Sequence, residues 1–296
     1  QSISVLAGVY CVVLAWKLST LVWGSKTAAK TSAWLVAIYP ILILYSALTM
    51  REVFITLLLL YGMIHVILWS KTKAIKNAFI AIISFSLQLL LHPGMATAGV
   101  FFIGLLFLYS LKALFTRLRA NSGFDVRSFL VIIFCFSFGL YIYMFSSSLS
   151  FPYYSWLELD NLIERVSRMN IGDAAYPTWI MAENAMQYFL LLVPKLFYFL
   201  FSPFPWDVSK FKHVIGLLDG VVYIMLFLSI YSHRKYIKSN PQALLLFVFV
   251  IFLSLVFSIA VGNFGTGLRH RSKILPIIIV IAAPFIYQVL FSRRKN

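Results

Sequence analysis

Nine runs of roughly twenty mostly apolar residues divide this chain, at about 2 to 23, 32 to 50, 53 to 69, 78 to 91, 95 to 115, 128 to 145, 213 to 231, 243 to 261 and 274 to 291. A helix needs about 20 such residues to cross the hydrocarbon of a bilayer, since each residue advances it by only about 1.5 Å. Inside lipid the backbone must satisfy its own polar groups, so a run of this kind becomes a helix. The expected fold is therefore all-α, a polytopic transmembrane helical bundle of about nine or ten spans. The tenth candidate is the run from about 185 to 202, which carries Pro194 and Lys195 at its centre and ends in "SPFPW"; it spans, re-enters or lies in the interface. Repeats, low-complexity tracts and glycine-serine linkers are not evident, which makes 1 to 296 a single membrane-embedded domain.

The net charge of +16 does not indicate nucleic acid, because the 25 Lys and Arg are scattered in small groups between apolar runs, as topology signals are. If the terminal "SRRKN" is cytoplasmic, that side also receives "GSKTAAK", "SKTKAIKN", "KALFTRLRANSGFDVR" and "SHRKYIKSNP", and with them 15 of the 25 basic residues. The opposite side receives Met50-Arg51-Glu52, the break at His92-Pro93-Gly94, the segment from 146 to 212 and the stretch "GNFGTGLRHRSKILP". Eight of the nine acidic residues fall on that outer half. This division requires that the run 185 to 202 does not cross. Within the loop, "SWLELDNLIERVSRMN" places Leu159, Leu162, Ile163, Val166 and Met169 at helical spacing, and Ser155 with Glu158 fits a capping box. A short amphipathic helix on the membrane surface is expected there.

Cys11 and Cys135 lie inside apolar runs, so no disulfide between loops is expected, and zinc-ligand spacing is absent. No Walker loop, GxGxxG, HExxH or GxSxG pattern occurs, so no metal, nucleotide or other cofactor is expected. The chain begins at Gln1, directly in an apolar run, which suggests that residues precede it.

Charge near a bilayer core is costly and marks functional paths by default. Under the topology above, Arg51, His92, Arg269, His270 and Arg271 sit at the outer ends of helices far apart in sequence. Arginine is always ionised and presents a planar fork of donors suited to phosphate oxygens, so Arg51, Arg269 and Arg271, with Lys273, are expected to hold a diphosphate. The glycines of "GNFGTG" would let the backbone approach that ligand. The competing reading for Arg269, Arg271 and Lys273 is headgroup anchoring by snorkelling side chains. For Arg51 it is a hairpin ion pair with the adjoining Glu52, and for His92 a turn residue before proline. Asp219, in "GLLDGVVY", is expected to face either the protein or water, with an arginine as a candidate partner. Lys273→Arg is expected to be mild. His270, His92 and Glu52 are the leading candidates for proton transfer, with Glu158, Asp160 and Asp173 unranked beside them.

"YPILILYSALTMRE", "VPKLFYFLFSPFPWDV", "GLLDGVVY" and "GNFGTGLRHRSKILP", in that order, resemble the Wzy-type O-antigen and capsule polymerases of bacterial surface-polysaccharide clusters. The resemblance implies an inner-membrane enzyme with a large periplasmic loop and periplasmic arginines that engage undecaprenyl diphosphate. It implies a glycosyltransferase that needs neither metal nor nucleotide and moves a growing glycan from its lipid carrier onto a newly arrived repeat. Its partners would be that lipid-linked glycan, membrane lipid and a chain-length regulator protein. The alternatives are a GT-C-type glycosyltransferase using polyprenyl phosphate, an O-antigen ligase, and a flippase or transporter of lipid-linked glycans. Transporters often carry internal repeats or paired broken helices, and neither is evident here.

Overall fold

The computed structural model describes residues 1–120, 125–146 and 159–291. In chain order the helices are α1 (Ser2–Trp23), α2 (Lys26–Ile38), α3 (Pro40–Ala47), α4 (Arg51–Thr72), α5 (Ile75–Leu91), α6 (Ala96–Arg119), α7 (Val126–Ser146), α8 (Leu159–Met169), α9 (Ala185–Leu190), α10 (Leu192–Phe201), α11 (Phe211–Ser232), α12 (Arg234–Ser239), α13 (Pro241–Ala260) and α14 (Phe264–Phe291). Six are long and apolar enough to cross a membrane: α1, α4, α6 with the turn before it, α11, α13 and α14. The bent pair α2 and α3 makes a seventh candidate, while α5, α10 and the Val126–Ser137 part of α7 are shorter apolar helices. The protein is an all-α bundle with a multi-pass membrane architecture. The capping box expected at Ser155 and Glu158 lies outside the described residues.

Three features add detail to the sequence expectation. The run 32 to 50 is not one helix: Pro40 drives Tyr39 to an extended conformation (φ −71°, ψ 119°) and opens a new helix, leaving a 56° bend. The run 185 to 202 breaks at Leu191. The 10 residues of α10 rise only about 15 Å, roughly half the hydrocarbon thickness, so α10 by itself is too short to span. Finally, α14 begins at Phe264, well before the apolar run that starts at about 274, so the basic cluster lies in its first turns.

Packing follows the side-chain sizes. The buried face of α1 is Ser4, Ala7, Cys11, Ala15, Leu18, Ser19 and Val22, mostly small residues at three- and four-residue spacing, which lets α2 and α4 lie close. In lipid, close approach and van der Waals contact drive helix association. Gly220 does the same on α11, where any Cβ would run into the Phe201 carbonyl of α10. At the centre is α14, packed against α1, α2, α4, α10, α11 and α13. Its apolar residues from Ile274 to Ala283 are all buried, as an all-round apolar helix must be.

The two ends of the bundle differ. At one, Lys71 donates to the Leu21 carbonyl (2.5 Å), Asn240 donates to that of Val22 (2.9 Å), and Lys73 lies over the rings of Trp69 and Tyr109. At the other, the start of α4, the α5–α6 junction, the end of α13 and the start of α14 converge under α8. The loop after α8 is pinned to the α13–α14 junction: Tyr176 donates to the Gly262 carbonyl (3.1 Å), Phe264 to that of Ala174 (2.9 Å), and Asn263 Nδ2 to that of Met169 (3.0 Å). A Cβ at Gly262 would sit 2.5 Å from the Val166 carbonyl. The "GNFGTG" glycines therefore admit α8 and its loop, a role unlike the ligand approach expected from sequence.

Candidate functional site

A cavity of about 680 Å³ lies beneath α8. Its polar lining includes Arg51, Glu52, His92, Thr97, Arg165, Thr266, Arg269 and His270, set among apolar residues such as Leu162, Met169, Val256 and Phe257. Five of the seven site residues expected from sequence thus share one cavity, although they come from α4, the α5–α6 break and α14. Arg51 opens α4 and donates from Nη1 to the Leu91 carbonyl, 3.1 Å away at the end of α5. The neighbouring Glu52 does not close a hairpin with it. Its Oε1 accepts from Nε (3.1 Å) and Nη2 (2.6 Å) of Arg269, across 217 residues of sequence. Glu52 is 2% exposed, whereas the Arg269 side chain is 44% exposed. The acid is thus held in the wall while the arginine reaches into the opening. Glu52 Oε2 is buried and has no hydrogen-bond partner among the described residues.

His92 is the extended residue (φ −158°, ψ 112°) between α5 and a 3-10 turn over Pro93–Met95. Its ring lies edge-on to that of His270, 4.9 Å between centroids, and His270 stacks on Phe257 at 4.7 Å. Burial, followed by the Lys273 and Arg51 charges, holds the His92 pKa down at about 4, so this imidazole is neutral at ordinary pH. Its Nδ1 is likewise buried without a partner among the described residues.

Lys273 and Arg271 do not line the cavity. Lys273 is fully buried behind it, with Nζ 3.0 Å from His270 Nδ1 and 5.6 Å from the centre of the Phe257 ring. It therefore does not snorkel to a headgroup. When Lys273 carries its proton it has donors only, so His270 Nδ1 then accepts from it and the ring proton sits on Nε2. In that state His270 can donate a hydrogen bond from Nε2.

Arg271, 1% exposed, is committed elsewhere. Nε and Nη2 donate to Asp219 Oδ2 (3.0 and 2.5 Å), and Nη1 donates to the carbonyls of Leu200 (2.8 Å) and Ser202 (2.7 Å). Tyr39 donates to Asp219 Oδ1 (2.8 Å), and the Tyr223 ring lies 4.8 Å from the guanidinium carbon. The residue caps the C-terminal carbonyls of α10 and ties α2, α10, α11 and α14 together, so it leaves the expected diphosphate set. The geometric reason is simple: residues two apart on a helix point about 200° apart, so Arg269 and Arg271 cannot face one ligand.

Of the other acids weighed as bases, Asp173 accepts from Lys210 outside the cavity, and this contact holds its carboxyl below the usual range. Glu158 and the side chain of Asp160 lie outside the described residues. Arg165, which sequence reasoning missed, lines the cavity from α8 beside Leu162 and Met169. Its position between cavity-facing residues three and four apart was the available signal. Comparison with protein-family profiles, curated proteins and solved structures finds no match for this chain.

Proposed function

We propose that this chain is a membrane glycosyltransferase that polymerises lipid-diphosphate-linked oligosaccharide repeats at the periplasmic face of a bacterial inner membrane. The observation that carries the reading is the convergence of Arg51, Arg269, His92, His270 and one carboxylate, Glu52, in one cavity at one end of the bundle. That end is the less basic one, which by the preference of Lys and Arg for cytoplasmic loops is the outer one.

The chemistry these groups suit is displacement at a sugar carbon. The acceptor hydroxyl oxygen forms the new bond to the anomeric carbon, the bond from that carbon to the diphosphate breaks, and the electron pair leaves with the diphosphate. Negative charge grows on the leaving group, so fixed guanidinium groups of Arg51 and Arg269 stabilise the transition state more than the ground state. A hydrogen bond from His270 Nε2 adds to this. The hydroxyl proton goes to Glu52, the one carboxylate lining the cavity among the described residues, at Oε1 once the diphosphate draws Arg269 away from it. The leaving diphosphate competes with Glu52 for Arg269, which couples substrate binding to release of the base.

The test is the lipid-linked glycan profile of a strain lacking the gene. Accumulation of a single completed repeat on the outer leaflet is expected. Accumulation on the inner leaflet would make the protein a flippase, and accumulation of a shortened repeat would make it a transferase of single sugars from polyprenyl phosphate.

A further inference from the structure

Glu52 belongs to two cavities. Among the described residues it alone lines both the cavity beneath α8 and a smaller one, of about 200 Å³, enclosed by α1, α2, α3, α4 and α14. The smaller one is a slot in the side of the bundle. Val5 and Val9 of α1 and Ile43 of α3 line it and are about half exposed, whereas Glu52, Thr56 and Ser272 line it from the buried interior. Arg269, which holds Glu52 Oε1, lines the α8 cavity but not the slot. Oε2 is therefore the oxygen left to the slot, and it is buried with no hydrogen-bond partner among the described residues.

The donors of the slot itself do not satisfy it. Ser46 Oγ donates to the Ile43 carbonyl (2.8 Å), Thr56 Oγ1 to that of Glu52 (2.9 Å), Ser272 Oγ to that of Arg269 (2.9 Å) and Cys11 Sγ to that of Val53 (3.8 Å). The hydroxyl of Tyr45 also lines the slot and makes no bond to Oε2. What Oε2 lacks is a donor and not a counter-charge, because the two contacts from Arg269 already match the charge of Glu52. A second cation would bring net charge in among Val5, Val9, Val12, Val36, Leu42 and Ile43, and a phosphate would meet a carboxylate. Water supplies a donor but makes about three hydrogen bonds where it is buried, more than this apolar lining offers. A neutral donor on an apolar body meets both conditions.

We infer that the slot binds a long-chain alcohol, which enters from the lipid between α1 and α3 and donates its hydroxyl hydrogen to Glu52 Oε2. This inference does not depend on the polymerase reading. The probe is farnesol carrying a diazirine in the isoprene unit next to the hydroxyl, photo-crosslinked to the purified full chain in nanodiscs and mapped by mass spectrometry. Crosslinks are expected in α1 and α3, at residues such as Val9 and Ile43. Plain farnesol is expected to compete them away at a concentration about tenfold or more below that needed with its methyl ether, which has no hydrogen to donate. In Glu52→Gln, Arg269 keeps the oxygen and the slot meets an amide N–H donor, so the two competitors are expected to come within about twofold of each other. The comparison of alcohol with ether is made on the wild type and stands whether or not that variant folds. An ether that competes as well as farnesol in the wild type overturns the inference, as does an undiminished preference for the alcohol in folded Glu52→Gln. Crosslinks absent from α1 and α3, or spread evenly over exposed residues such as Leu218 and Met225, also overturn it and leave water as the occupant.

Discussion

The assignment of Arg271 to the scaffold separates two accounts of the same arginine, and Asp219 is the residue with which to test it. In Arg271→Met the Asp219 carboxylate loses both guanidinium contacts, and the carbonyls of Leu200 and Ser202 lose their donor. Breaking a buried ion pair from one side costs about 3–5 kcal/mol, and each orphaned carbonyl adds about 1–3 kcal/mol. Asp219→Leu leaves a guanidinium that is 1% exposed without its counter-charge, and is expected to cost a similar 3–5 kcal/mol or so. The double variant removes both buried charges and keeps only the loss at the carbonyls. It should therefore be more stable than the two single effects added together, by at least about 2–3 kcal/mol and by as much as the two ion-pair penalties, about 6–10 kcal/mol. Unfolding of purified protein in mixed detergent micelles measures the stabilities, and polymer formed at equal membrane abundance measures the function. The scaffold account requires the double variant to regain both abundance and activity relative to either single change. An Arg271→Met protein as stable as the wild type yet inactive would refute the reasoning and return Arg271 to the substrate.

Four further outcomes are expected. Arg269→Lys keeps the charge but loses the two-point grip on Glu52, and is expected to lower turnover by about a hundredfold, measured as polymer length and accumulated single-repeat lipid. Glu52→Gln keeps an oxygen for Arg269 but removes the base, so turnover should fall by at least about a hundredfold while the lipid diphosphate still binds; normal turnover in that variant would exclude Glu52 as the proton acceptor. His92, with its pKa held down, binds fewer protons folded than unfolded, so it weakens the fold as pH falls below its unfolded value and towards about 4; a ring titration followed by NMR with a midpoint near that of free histidine would contradict the buried site. Gly262→Val forces a side chain into the Val166 carbonyl, and is expected to displace α8 and lose activity at a stability cost of about 1–3 kcal/mol, while the same change at the open Gly104 does not disturb the site.

How much of this was legible in the sequence can be argued residue by residue. Each apolar run became helical, because hydropathy and the backbone's need for internal hydrogen bonds act locally and along one segment. The amphipathic stripe of α8 was readable for the same reason, as was the pairing of Asp219 with an arginine, which follows from the cost of an isolated charge in lipid. The break at Tyr39 was written in Pro40 but masked by the unbroken hydropathy around it.

The division of labour within "GLRHRSK" was beyond composition, because two arginines, a histidine and a lysine within five positions look equivalent until a helix spreads them around its axis. Once α14 extends back to Phe264, Arg269 faces the cavity, Arg271 faces α10 and α11, and Lys273 lies behind His270. The 217-residue separation between Arg269 and Glu52, and the hundred or so between α8 and the residues it covers, carry no local signal at all. Sequence alone determined that the chain would be helical, membrane-embedded and more basic at one end than at the other. Tertiary structure decided which of those charges are used up inside the bundle and which face a cavity, since burial and partner geometry are properties of the packed helices together.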